Sequence, residues 1–300
     1  MRVNPNMVPD ILADLQQSQT TLDTALQEVA SGKSVTVPSD NPSASAYMVQ
    51  NTIDTADVDQ YTKNVSGTLS MLQTADTSLS SVVSSLTQAI SLGTEGANGT
   101  TNSSNLEAIG EQVQAILKSV VAQANTDYQG VYLFGGTETS SAPYTASSSS
   151  SSGYTYNGND DVNSVAVGDD LNVQVNLPGS QIFSNSSADV LGSLNSLVTA
   201  LQSGDSSSIE TATNAVSSAL SYVSQQRTFY GNAETQLNSQ ETYLQQETVN
   251  LTSQESSLVD VDEAKAATML SQAETDNSAA EAAAAKVLPQ TILNYLATPQ

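Results

Sequence analysis

The chain contains no cysteine and no histidine. That removes thiol nucleophiles, disulfides, the usual zinc sites and imidazole general bases together. Lack of cysteine fits passage through oxidising surroundings but identifies no compartment. Tryptophan is absent and aromatics make up 5% of the residues, so burial must come from Leu, Val, Ile and Ala. Basic residues are scarce as well: 7 Lys+Arg stand against 31 Asp+Glu, a formal charge of −24. A nucleic-acid binder concentrates positive charge to displace counterions, so this balance argues against nucleic acid. An anionic membrane surface repels such a chain. No basic residue lies between Lys118 and Arg227, and this acidic middle suits a solvated outer surface. No run approaches the roughly 18 apolar residues of a membrane span. The first residues carry one Arg and no apolar stretch, so no cleavable secretory signal is expected, and export would need another route.

What the sequence does have is a repeat of seven. Ile209, Val216, Val223, Tyr230, Leu237, Leu244, Leu251 and Leu258 are all apolar, and a matching frame runs Val58, Val65, Leu72, Leu79, Leu86. A sustained heptad marks long helices that pack along their length. The later stretch, if helical throughout, spans roughly 75 Å at about 1.5 Å per residue. Half a turn away it places Gln226, Gln240, Glu247 and Gln254, so the seam is narrow and needs a further surface to hold it. The N-terminal helices and other copies of the chain are the expected partners. The interior of an ordinary helical bundle is the plainer reading of the same stripes.

The first helix carries Val8, Ile11, Leu15, Leu22, Ala25, Leu26 and Val29, with Ser18 interrupting the stripe. Gly32 is placed to end it. Asn41 followed by Pro42 is a helix start. The turn Gly93 to Asn102 is predicted to close the second helix, and Leu106 to Val120 carries a third. Val131 to Gly136 reads as a short strand ended by a turn, and Ser147 to Ser152 as a flexible loop. Alternation at Tyr154–Tyr156, Val165–Val167 and Leu171–Leu177 predicts short strands separated by turns. Helical periodicity returns at Val190, and Asp205 or Ser206 caps the long helix. The fold class is therefore mainly α: long N- and C-terminal coiled-coil-like helices forming an elongated bundle, with a small β-rich insertion. The expected division is a helical region 1–136, a surface-exposed insertion 137–186 and a helical region 187–300.

Local motifs for chemistry are weak. Gly32-Lys33-Ser34 resembles the end of a phosphate loop, but position 27 is Gln27 and no strand precedes it, so a helix C-cap is expected. Asn157 to Asp161 and Gly168 to Asp170 have calcium-like residue types but no closing Glu, and read as hairpin turns. No Gly-x-Ser-x-Gly elbow is present, and nothing singles out one carboxylate pair as acid and base. No enzyme, cofactor or metal is expected.

Several stretches together resemble the flagellin superfamily, and within it the family of hook–filament junction proteins. Ser31 through Pro42 resembles that family's turn between its first two helices, and Asp59 to Asn64 the start of its second long helix. Tyr132-Leu133-Phe134-Gly135-Gly136-Thr137 with Pro143-Tyr144 resembles the exit from the helical part. Tyr156 through Phe183 resembles the β-domain, and Asp260 to Ala264 with Leu293 to Leu296 completes the likeness over nearly the whole chain. Pro289 departs from the pattern, and is expected to kink or end the terminal helix and leave Ile292 to Leu296 as a separate segment.

The resemblance implies structural work in a bacterial flagellum, outside the cell. Copies would self-associate into a ring, next to a neighbouring hook-associated protein and flagellin, after type III export with a chaperone. The assembly residues would be Leu15, Leu22, Val29, the two heptad frames, Leu293 and Leu296. A flagellin of the filament and a secreted acidic adhesin remain alternatives.

Overall fold

Gly32 takes a positive φ of 69° directly after the first helix, α1 (Met7–Ser31), and its N–H reaches the Glu28 carbonyl at 2.9 Å. A left-handed residue that closes the last helical turn is a role glycine fills without steric cost. Helix α2 (Pro42–Ala97) then starts on Pro42, with the Asn41 side chain accepting from the Ala44 N–H at 3.0 Å. Helix α3 (Ser103–Ala124) is capped by Asn102. Asp189 caps α5 (Val190–Ser203), and Gly204 ends it in the left-handed region. Asp205 caps α6 (Ser206–Val259), and Asp262 caps α7 (Glu263–Leu296). The chain is a computed structural model that describes residues 7–99 and 101–296, with side-chain surroundings for 9–99 and 101–286.

Between α3 and α5 the chain makes four separate antiparallel hairpins instead of one sheet. They pair β1 (Asp127–Tyr128) with β2 (Val131–Tyr132), β3 (Tyr144–Ala146) with β4 (Tyr154–Tyr156), β5 (Ser164–Ala166) with β6 (Asn172–Gln174), and β7 (Ser184–Asn185) with β8 (Ala188–Asp189). The short helix α4 (Gly179–Ile182) precedes β7. The fold is therefore mainly α with a small strand-bearing insertion. The strands are shorter than the alternation predicts: β6 covers three residues of Leu171–Leu177. Leu133 to Gly136 is a turn, whose carbonyls accept from other loops in place of a strand partner.

Two compact units result. Residues 1–56 and 247–300 form a terminal unit, and residues 57–246 a central one; α2 and α6 contribute to both. The insertion belongs to the central unit. The Ser147 to Ser152 stretch is not a loose loop there: Ser147 N–H reaches Gly153 O at 2.9 Å, and Asn195 of α5 donates to the Ser151 carbonyl at 2.8 Å.

Two helix boundaries differ from the sequence reading. Helix α2 passes through Gly93 and Gly96 and ends only at Ala97. These glycines mark close packing, not a stop: a Cβ on Gly93 would lie 2.3 Å from Thr213 Oγ1, and one on Gly96 2.4 Å from Leu201 Cδ2. Both neighbours are buried and cannot swing away. Gly96→Val is expected to cost about 1–3 kcal/mol through overpacking, read as a lower urea midpoint; an unchanged midpoint would show that the contact yields. Helix α7 likewise runs through Pro289 to Leu296, so the terminal segment does not separate. A proline removes its own N–H bond, and the turns on either side keep theirs.

Candidate assembly interface

In the central unit the heptad frames are core. Val58, Val65, Leu72, Leu79 and Leu86 of α2 are buried, as are Ile209, Val216, Val223, Tyr230, Leu237 and Leu244 of α6. The alternate positions carry small buried residues, Ala75 and Ala89 on α2 and Ala212, Ala219 and Ala233 on α6, which let helix backbones approach closely. Asp76 meets Arg227, and Gly93 meets Thr213, so the two helices run antiparallel here. These stripes are occupied by the chain's own helices. In the terminal unit Leu251 is buried, while Leu258 is half-buried and the next residue, Val259, is fully enclosed against Val35 and Ala44. The frame slips by one residue where α6 ends. Leu15 and Leu22 are half-buried, and Val29 is 43% exposed. Leu293 and Leu296 lie on α7, with side chains outside the described residues.

The Gly32-Lys33-Ser34 motif has a structural use in the terminal unit. Ser34 N–H donates to Val259 O at 2.6 Å, and Val261 N–H to Gly32 O at 3.0 Å, pairing Lys33 with Asp260 as an antiparallel bridge. The Lys33 ammonium stands 3.3 Å from Glu255. This clasp ties the α1–α2 turn to the α6–α7 turn, and α1 packs along α7. Deeper in the unit, the buried Asn51 donates to the Leu251 carbonyl at 3.0 Å. A buried polar group with a single partner fixes helix register.

Polar contacts hold the insertion in the central unit. Gln240, a poor seam residue by heptad logic, donates to Val167 O at 2.7 Å. Asn64 donates to Ala166 O at 2.8 Å, and the Tyr61 hydroxyl to Asp169 at 3.1 Å. That hydrogen bond to a carboxylate raises the Tyr61 pKa. The calcium-like Gly168-Asp169-Asp170 is thus the tip of a docked hairpin. Among the described residues no three His, Cys, Asp or Glu side chains gather as a metal site.

Arg227 makes two bonds of 2.8 Å to the Asp76 carboxylate, which raises its pKa further. Burial raises the pKa of nearby Glu234, helped by the Asp76 charge. Heptad logic misses the ion pair because neither residue is apolar. A double-mutant cycle of Asp76→Asn and Arg227→Gln should show coupling of about 1 kcal/mol for a half-exposed pair. Strict additivity in urea melts would mean that the pair adds nothing.

The most exposed large apolar side chains of α2 lie off its heptad frame. Tyr47, Val49 and Ile53, on the first turns of α2, are 66%, 63% and 50% exposed. Their sequence signal was three large apolar residues on a helix outside its seam. Among the described residues no helix is long and apolar enough to cross a membrane.

The family comparison decides what kind of helical chain this is. The model of the bacterial flagellin N-terminal helical region matches residues 3–139, and that of the C-terminal helical region matches residues 213–296. The chain belongs to the flagellin superfamily. Superfamily membership makes it a flagellin-like structural chain. Among solved structures it is similar to Bacillus cereus FlgL, with 25% identity and a TM-score of 0.60, covering 69% of this chain and 99% of that one. The flagellar junction protein FlgL of Legionella pneumophila shares the fold at 15% identity and a TM-score of 0.60, over 71% of this chain and 100% of that one. A phase 1 flagellin of Salmonella naestved is 25% identical over 119 residues, 39% of this chain and 24% of that protein. The chain spans about a quarter of the length of the curated flagellins it matches.

Proposed function

We propose that the chain is the structural component that joins hook to filament in a bacterial flagellum. The observation that carries this reading is the likeness to Bacillus cereus FlgL over 99% of that chain, against 24% of a flagellin. The compact insertion, pinned to the helices at Asn64 and Gln240, supports it. In this reading copies form a ring outside the cell, bounded by another hook-associated protein and by flagellin. An export chaperone keeps the chain from assembling early. In this reading the work of the chain is structural and not catalytic.

Immunogold microscopy of sheared flagella, with antibody to residues 137–186, tests the reading. One gold cluster at the base of each filament is expected. Label along the whole filament makes the chain a flagellin. No label on flagella removes it from the organelle and favours an adhesin.

A further inference from the structure

One pocket of the central unit has no use in the contacts described so far. It measures about 470 Å³ and lies between α2 and the hairpins, lined by Gly67, Met71, Tyr128, Val131, Tyr132 and Val165 among others. Its lining is mostly apolar, and Val131 at the rim is 40% exposed. Gly67 stands inside a helix of 56 residues, where glycine is less favourable than alanine. Gly93 and Gly96 of the same helix are explained by close packing, yet a Cβ on Gly67 would meet no atom within 4 Å. No contact among the described residues accounts for the glycine, whereas a side chain arriving from outside would.

Charge selects the visitor. The cations of the central unit are Lys63, Lys118 and Arg227, and Arg227 is spent on Asp76. Neither Lys63 nor Lys118 has an ion-pair partner within 4.0 Å among the described residues. Lys63 is not part of the pocket lining but is exposed one helical turn before Gly67, on the same face of α2, whereas Lys118 lies on α3, which contributes no residue to that lining. Two chains of charge −24 repel unless their contact brings a cation to a carboxylate. We infer that this pocket is a contact between copies of the chain: an apolar side chain of one copy, flanked by a carboxylate, enters beside Gly67 of the next, and Lys63 pairs with that carboxylate. This rests on the reading of the chain as a component that assembles in the flagellum.

The test uses the natural absence of cysteine. A Val131→Cys chain, labelled in isolated flagella with a thiol-specific benzophenone, carries one photocrosslinker at the pocket rim. The expected product on illumination is a dimer containing peptides of this chain alone, reduced at least tenfold by Lys63→Glu. Gly67→Trp, which fills the pocket, should melt at the parent's temperature and enter flagella at least tenfold less. If Gly67→Trp fails to fold, the Val131→Cys and Lys63→Glu result decides. A crosslink to a different protein, no crosslink from a chain present in flagella, or normal entry of folded Gly67→Trp overturns the inference and leaves the junction reading standing. Absence of the Val131→Cys chain and of the parent from flagella defeats the reading itself, and the inference with it.

Discussion

Replacing Phe134 with alanine should lower stability by about 3–5 kcal/mol, the range for removing a fully buried phenylalanine. For a unit of this size that is a fall of about 6–20 °C in melting temperature. Phe134 is completely buried and meets Phe183 edge to face, at 5.3 Å between centroids and 87° between planes. Phe183 in turn meets Tyr144 at 5.9 Å and 86°, and Tyr144 meets Tyr156 at 5.2 Å. Such aromatic pairs add to the area they bury. The backbone is tied into the same cluster. Gly179 N–H donates to Phe134 O at 2.7 Å, and the Tyr156 hydroxyl lies between that oxygen at 3.1 Å and the Asn159 carbonyl at 2.9 Å. Gly179 has no room for a side chain, since a Cβ would lie 2.8 Å from Phe134 O. The aromatic poverty of the chain makes the substitution severe, because Phe134 is one of 3 phenylalanines and its ring supplies one of the contacts around which the hairpins pack. Thermal unfolding followed by circular dichroism checks this, and a loss below about 1 kcal/mol would mean the cluster is dispensable.

Alkali should weaken the protein chiefly through two buried tyrosines. Burial pushes the Tyr144 hydroxyl well above the ordinary tyrosine range, although its bond to Ser184 acts the other way. Burial does the same to Tyr230, which is 1% exposed. Both phenols are thus held neutral in the fold, while in the unfolded chain they ionise near about pH 10. Their contribution is complete below that value and is lost as pH rises through it toward the raised folded pKa. The slope is about 1.4 kcal/mol per pH unit for each tyrosine. Tyr230→Phe should make the fall shallower by that amount, the share of Tyr144 and the smaller shares of Tyr61 and Tyr156 remaining. It should also leave stability at neutral pH unchanged or higher, because the enclosed hydroxyl makes no hydrogen bond of ordinary geometry, the Leu177 carbonyl included. Urea melts from pH 8 to 11 are the measurement, and equal slopes for parent and variant would refute the assignment.

The helices were legible because their signals are local. Asn41-Pro42, Gly32 and Asp205 act within one turn of themselves, and a seven-residue repeat sorts Val65 to Leu86 and Ile209 to Leu251 to one buried face whatever they meet. The same periodicity does not say what lies opposite. A heptad seam looks alike whether its partner is another copy or a helix of the same chain, and here the chain's own helices occupy it.

The misread positions share one cause. Gly93 and Gly96 look like a turn until Thr213 and Leu201 stand against them. Gln240 looks like a defect in a seam until Val167 brings its carbonyl. Ser147 to Ser152 looks loose until α5 supplies Asn195. Each depends on a residue far away in sequence, and no window of a few turns contains the partner. Composition and periodicity by themselves determined a mainly helical, acidic chain without thiol or imidazole chemistry, because burial pattern and charge are properties of residues taken singly or in short repeats. Only the tertiary structure decided that the clasp joins Ser34 to Val259, that Asp76 takes Arg227, and that Gly67 opens onto a pocket, because distances between remote residues are set by the fold as a whole.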